Sequence, residues 1–225
     1  MQTIIQHTIL NNNFLLSAER CIYWQEQRIL ILSDLHLGKT GHFRKSGIAV
    51  PQGVFKEDMQ RLVTQIQLFK PAGLIVIGDM FHSHGNKEHD FFVKWRNDFP
   101  MLSIQLVKGN HDILHKDWYY EAGIELSNCE LTIGRFAFVH DFTDCKVPDE
   151  GYIFSGHIHP GISMHGLAKQ SLQFPCFYFG EQYAVLPAFS RFTGMYSIKP
   201  KAGETVYALV NSNPLQGELG GIMKV

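Results

Sequence analysis

Five short polar clusters hold the side chains able to do chemistry: Asp34-Leu35-His36, Gly78-Asp79, Gly109-Asn110-His111-Asp112, His140-Asp141 and Gly156-His157-Ile158-His159. Their donors are carboxylates, imidazoles and amides, with no thiolate among them. Such a set suits Mn²⁺, Fe or Zn²⁺ in a reactive centre and does not suit a structural zinc site. One carboxylate can bridge two cations, so a two-metal centre with ions about 3.5–4 Å apart is feasible. Taken singly, each residue has a bland reading as a satisfied histidine, a helix cap or a turn residue. Chance does not readily place five such clusters, in order, at five strand exits.

The elements that must position them follow from the apolar pattern. Arg28–Ser33, Leu74–Ile77 and Leu102–Val107 are near-continuous apolar runs, as expected of strands buried on both faces. Between them, Val54, Met59, Leu62, Val63, Ile66 and Phe69 recur at helical spacing, which predicts a helix over Gly53–Lys70 ended by Pro71 and Gly73. Asn86 is a candidate cap for a second helix reaching about Asn97. This βαβαβ rhythm implies a parallel sheet with right-handed crossovers. Thr3–Leu10, Phe14–Ser17 and Cys21–Trp24 read as preceding strands. From about Gly123 the pattern is all-strand, with Arg135–Val139, Tyr152–Ser155, Phe177–Phe179, Ala184–Leu186 and Val206–Leu209 as candidates. In open α/β sheets, ligands bind beyond the carboxyl ends of strands, so the five clusters can converge. The 225 residues read as one domain, 1–225, with 211–225 expected as a loosely ordered tail.

Composition narrows the class. Hydrophobic residues make up 45% and charged residues 18%, which excludes a disordered chain. Twenty Lys and Arg against 21 Asp and Glu leave a net charge of -1, so any nucleic-acid contact must rely on a local basic groove. The four cysteines form no CxxC pair and read as reduced thiols. No apolar run approaches the roughly 18 residues of a membrane span, and the N-terminus has no signal-peptide pattern. A cytoplasmic protein with no membrane partner is the expectation.

The five blocks resemble the calcineurin-like metallophosphoesterase signature of D-x-H, G-D, G-N-H-[DE], H and G-H-x-H, from Asp34 to His159. That resemblance implies a four-layer α/β/β/α sandwich with a dinuclear metal site at the C-terminal strand ends. It implies that Asp34, His36 and His159 hold one metal, that Asn110, His140 and His157 hold the other, and that Asp79 bridges them. Mn²⁺ is the first expectation, with Fe or Zn²⁺ as alternatives. Two cations would acidify a bridging water for in-line attack on phosphorus. His111 would face the phosphate as general acid toward the leaving oxygen. The chain departs from the usual G-D-x-x-D, because His82 stands where the second aspartate belongs. The form Gly78-Asp79-Met80-Phe81-His82 is similar to that of the superfamily's double-strand-break repair nucleases, and it makes His82 a candidate catalytic residue beside the scissile strand. Asp141 also follows His140 where glycine is common.

A narrower resemblance runs through Asp34-Leu35-His36-Leu37-Gly38-Lys39, Phe43-Arg44, Val50-Pro51 and Leu186-Pro187-Ala188-Phe189-Ser190-Arg191-Phe192-Thr193-Gly194. These motifs are similar to the bacterial ligase-associated metallophosphoesterases. That likeness implies a nuclease or phosphodiesterase in DNA repair, with a DNA ligase and a DEXH-box helicase as partners. Lys39 and Arg44, with Lys45, follow two metal-ligand positions and are candidate contacts to substrate phosphate. Two rivals stand beside this reading. One is a small-molecule phosphodiesterase or pyrophosphohydrolase acting on a nucleotide or lipid precursor. The other is a non-catalytic scaffold, against which every ligand position is filled. His7, His42, His84, His89, His115 and His165 lack motif context and are read as non-ligands.

Overall fold

The computed structural model describes residues 2–39, 41, 43, 47, 53–82, 87–144, 150–165, 171–210 and 220–225. The first sheet has seven strands in sequence order: β1 (Ile4–Ile9), β2 (Asn12–Ser17), β3 (Cys21–Trp24), β4 (Ile29–Ser33), β5 (Gly73–Ile77), β6 (Ser103–Val107) and β7 (Ile124–Ser127). The β1–β4 half is antiparallel, and β4 through β7 are parallel. The crossovers are α1 (Gly53–Phe69), α2 (Lys87–Asp98) and α3 (Lys116–Glu121). α1 and α2 fall within a residue of their expected bounds, while the proposed Asn86 cap lies outside the described residues. α3 was not anticipated. It spans six residues, too few for hydrophobic periodicity to register. Among the described residues, no helix is long and apolar enough to cross a membrane.

The second sheet contains β8 (Glu130–Ile133), β9 (Phe136–Val139), β10 (Tyr152–Ser155), β11 (Pro160–His165), β12 (Ser171–Phe179), β13 (Tyr183–Val185), β14 (Tyr196–Ser197), β15 (Thr205–Val210) and β16 (Gly221–Lys224). Its order is β14-β11-β12-β13-β10-β9-β8, with β15 pairing β12 and β16 pairing β15. β16 corrects part of the expected loose tail. Ile222 pairs with Leu209 and is buried between the sheets, so an apolar side chain pins the end of the chain. Residues 211–219 lie outside the described residues.

Alternation along the parallel strands builds two cores. Leu30, Leu32, Leu74, Val76 and Leu106 face Leu62, Ile66, Phe92 and Tyr119 of the helical layer. Ile31, Ile75, Ile77 and Val107 face Phe136, Phe138, Phe154 and Leu186 of the second sheet. Phe154 is fully buried, stacked on Phe138 with centroids 5.5 Å apart. Of the expected four-layer sandwich, the described residues show the two sheets and one helical layer. Among the described residues, the helices pack on the first sheet. The outer face of the second carries two apolar clusters of its own, one of Ala137, Val139 and Ile153 with Phe142 and Tyr183, the other around Ile162, Cys176 and Ile198.

Register brings the chemistry together. Ser33 pairs with Ile77, and Ile77 with Val107, so β4, β5 and β6 end level and release their polar clusters at one edge. Val139, Ser155 and Val185 likewise end level in the second sheet. A lone bridge from Ser33 to Ala188 joins the two edges.

Candidate metal centre

Five of the seven expected ligand residues have left-handed backbones: Asp34 (φ 52°), His36 (49°), Asp79 (48°), His157 (69°) and His159 (50°). For non-glycine residues this costs on the order of 1–3 kcal/mol each and persists only where surroundings over-determine it. Here they do. Asp34 N donates to Gly78 O at 3.2 Å, His36 N to Asp79 O at 2.8 Å and Ser190 N to Asp34 O at 3.2 Å. His157 N donates to Asp34 Oδ2 at 3.1 Å. Three glycines make room, Gly156 among them, where a Cβ would stand 2.6 Å from Asp34 Oδ2. A Cβ at Gly78 would stand 1.9 Å from His140 Nδ1, and one at Gly109 would stand 2.3 Å from Asp79 Oδ1.

The donors gather into two overlapping groups: Asp34, His36 and His159, and Asp34, Asp79 and His140. His159 Nε2 is 3.3 Å from Asp34 Oδ1. His140 Nε2 lies 3.0 Å from Asn110 Oδ1, 3.1 Å from His157 Nδ1 and 3.6 Å from Asp79 Oδ1. All seven expected ligand residues therefore sit in one cluster. The carboxylate common to both groups is Asp34, whereas the resemblance gave the bridging place to Asp79. Asp79 Oδ1 also accepts from His111 N at 2.9 Å, which ties it to the β6 side.

This set fits a metal. Asp34 Oδ1, both ring nitrogens of His36 and His159 Nε2 are buried without a hydrogen-bond partner, which is costly unless a cation meets them. Burial, followed by the nearby Lys39 ammonium, holds the His36 imidazole far below its ordinary pKa, in the neutral form a metal requires. The donors are all nitrogen and oxygen, as a reactive Mn²⁺, Fe or Zn²⁺ centre needs.

A calcineurin-like phosphoesterase family model matches residues 27–144, more than half of the chain. The chain belongs to that family. Among solved structures it is similar to the Pseudomonas putida nuclease MPE, with 26% identity, a TM-score of 0.78 and coverage of 91% of this chain and 96% of that one. It is also similar, at 12% identity and a TM-score of 0.41, to the E. coli phosphoesterase Yfce, covering 82% and 88% of the two chains. No curated protein matches.

Beside this cluster, His111 is 43% exposed, with Nε2 4.0 Å from Asp79 Oδ2. His82 packs against it, with ring centroids 4.4 Å apart, and lies 5.7 Å from His36. Lys39 is half-buried. Burial lowers its pKa, and the neighbouring Asp79 and Asp34 carboxylates oppose that shift. Arg44 and Lys45 fall outside the described residues. Asp141 Oδ2 stands 3.8 Å from His157 Nε2. His89 is buried against Phe81 and Trp118, in keeping with a structural role.

Sequence reasoning gave no role to Asp112. It is fully buried, and its oxygens accept from Phe81 N and Gly109 N, both at 2.9 Å. It thereby ties the Asp79–His82 loop to the Gly109–His111 loop. Burial pushes its pKa up to about 7, against the backbone N–H groups that lower it. The signal was the acidic fourth position of Gly109-Asn110-His111-Asp112. Asp112→Ala strands two buried N–H donors, so chemical denaturation should show a loss of about 2–5 kcal/mol. A cost below about 0.5 kcal/mol would reduce Asp112 to a passive residue.

Proposed function

We propose that this protein is a dinuclear metal-dependent phosphodiesterase acting on nucleic acid, a nuclease of the DNA-repair type. The observation that carries it is the single cluster of seven nitrogen and oxygen donors at the strand ends, with the half-exposed His111 beside it. The likeness to a nuclease across 91% of the chain supports nucleic acid as substrate.

Asp34, His36 and His159 would hold one cation, Asn110, His140 and His157 the other, and Asp79 would serve both, as the resemblance implies. Such ions would supply charge neutralisation at the phosphoryl oxygens and an acidified water. His111 carries the proton at Nε2 that the leaving oxygen takes up, since its half-exposed ring stands at the edge of the cluster beside Asp79 and belongs to neither ligand set. His82 braces that ring and, half-buried, meets the scissile strand. Lys39 adds positive charge at the mouth of the site, and Arg44 is the second candidate phosphate contact. Asp112 positions His111 by fixing the loop that bears it. A DNA ligase or DEXH-box helicase is the kind of partner that would present a nicked or single-stranded substrate.

The test is an assay panel with Mn²⁺ present, comparing single-stranded, duplex and nicked DNA with cyclic nucleotides. Cleavage of one DNA form at least tenfold above the best cyclic nucleotide is expected. Turnover confined to small diesters would favour the small-molecule reading, and no turnover on any ester would favour the scaffold.

A further inference from the structure

Among the described residues, two grooves of different charge flank the donor cluster. The larger, about 540 Å³, lies beside Asn110, His140 and His157, and its charged lining is Lys108 against Glu130 and Asp141. The smaller, about 170 Å³, lies beside His159 and is lined by Arg20, Arg191, Thr193 and Gln173, with no carboxylate among its described lining residues. A polyanionic strand leaving the metal centre meets net negative charge on one side and guanidinium groups on the other.

An ion cluster behind the smaller groove explains why those guanidiniums stay there. Arg61 Nε meets Glu19 Oε2 at 2.7 Å, and its Nη1 meets Asp58 Oδ1 at 2.7 Å. Arg61 Nη1 also donates to Phe189 O at 3.0 Å, and Arg20 Nη1 to Ala188 O at 3.2 Å and Ser190 O at 3.0 Å. Arg20 and Arg61 are thus engaged in holding the 188–190 backbone, which binds Ser33 and Asp34. Arg191 differs. Its side chain is 40% exposed, and its Nη2 reaches Glu19 Oε2 only at 3.4 Å, behind the closer Arg61. Three guanidiniums face two carboxylates, so the cluster keeps a positive surplus directed at the groove.

We propose that this groove binds the phosphate adjoining the scissile one on a nucleic-acid strand, with Arg191 as its principal cation and Arg20 behind it. The proposal rests on the nuclease reading above. A guanidinium matches a phosphate with two parallel hydrogen bonds, which an exposed Arg191 can offer without giving up the loop. It also fixes direction, since the strand runs over His159 and away from Asp141.

The test compares KM for a single-stranded oligonucleotide and for bis(p-nitrophenyl) phosphate, which has no neighbouring phosphate, across a salt series with the Mn²⁺-loaded enzyme. Arg191→Gln should raise KM for the oligonucleotide about tenfold more than for the small diester. It should also flatten the log–log salt dependence by about 0.7, one single-strand phosphate contact. Arg191→Lys should keep that slope, because the charge remains. A purely structural role would lower kcat on both substrates alike and leave the slope unchanged, which would overturn the proposal. Equal flattening by Lys108→Gln in the opposite groove would overturn the one-sided path. If the wild-type enzyme cleaves no nucleic acid, the nuclease reading itself fails. If it cleaves and Arg191→Gln matches it in KM and slope, this subsite alone fails.

Discussion

His111→Ala lowers kcat on an unactivated phosphodiester by about 10²–10⁴-fold, the usual contribution of a positioned general acid. Metal content stays near wild type. The reason is geometric: the imidazole is 43% exposed, and the hydrogen bond that holds Asp79 Oδ1 comes from the backbone N of residue 111, which alanine keeps. The loss should shrink to about tenfold or less with a nitrophenolate leaving group, which departs without a proton. Steady-state kinetics on both esters, with metal counted in the same samples, check this. An equal loss on both would remove the acid role, and loss of metal would make His111 a ligand.

Asp34→Asn and Asp79→Asn should each lower metal content at both positions and cut diester hydrolysis by at least about 100-fold. That figure is the upper end of what losing a mere outer-shell partner costs. Asp34 and Asp79 are both buried and share one donor group, with Asp34 also in the other. Asparagine keeps the shape and an oxygen acceptor for His157 N but removes the charge. His36→Ala, which touches only one group, should instead lower the content by about one equivalent. Elemental analysis after gel filtration distinguishes these results. Full two-metal content in Asp79→Asn would exclude it as a ligand.

The donor cluster was legible because it is written locally. Each donor follows a short apolar run, and β4, β5 and β6 end level, so types and strand exits sufficed to gather Asp34, Asp79 and Asn110. Helices α1 and α2 were equally plain from their periodicity. What stayed hidden depends on distant partners. Arg20 and the Ser190 carbonyl it binds lie 170 residues apart, and no spacing rule connects them. Arg191 was visible only as part of a motif, because its meaning comes from Glu19 and Arg61. The fourth layer came from the resemblance alone, and the apolar pattern after Gly123 offered no amphipathic helix to form it. β16 was missed because Gly221–Lys224 is short and reads as polar tail, yet Ile222 closes the inter-sheet core.

Hydrolysis should depend on two cations held by the strand-end cluster. Chelator-stripped protein, reloaded with Mn²⁺ and desalted, tests this when bound metal and diester hydrolysis are measured on the same samples. About two equivalents per chain are expected, with activity absent before loading and returning in step with occupancy. Undiminished hydrolysis by the stripped protein, or no retained metal after loading, would contradict that expectation.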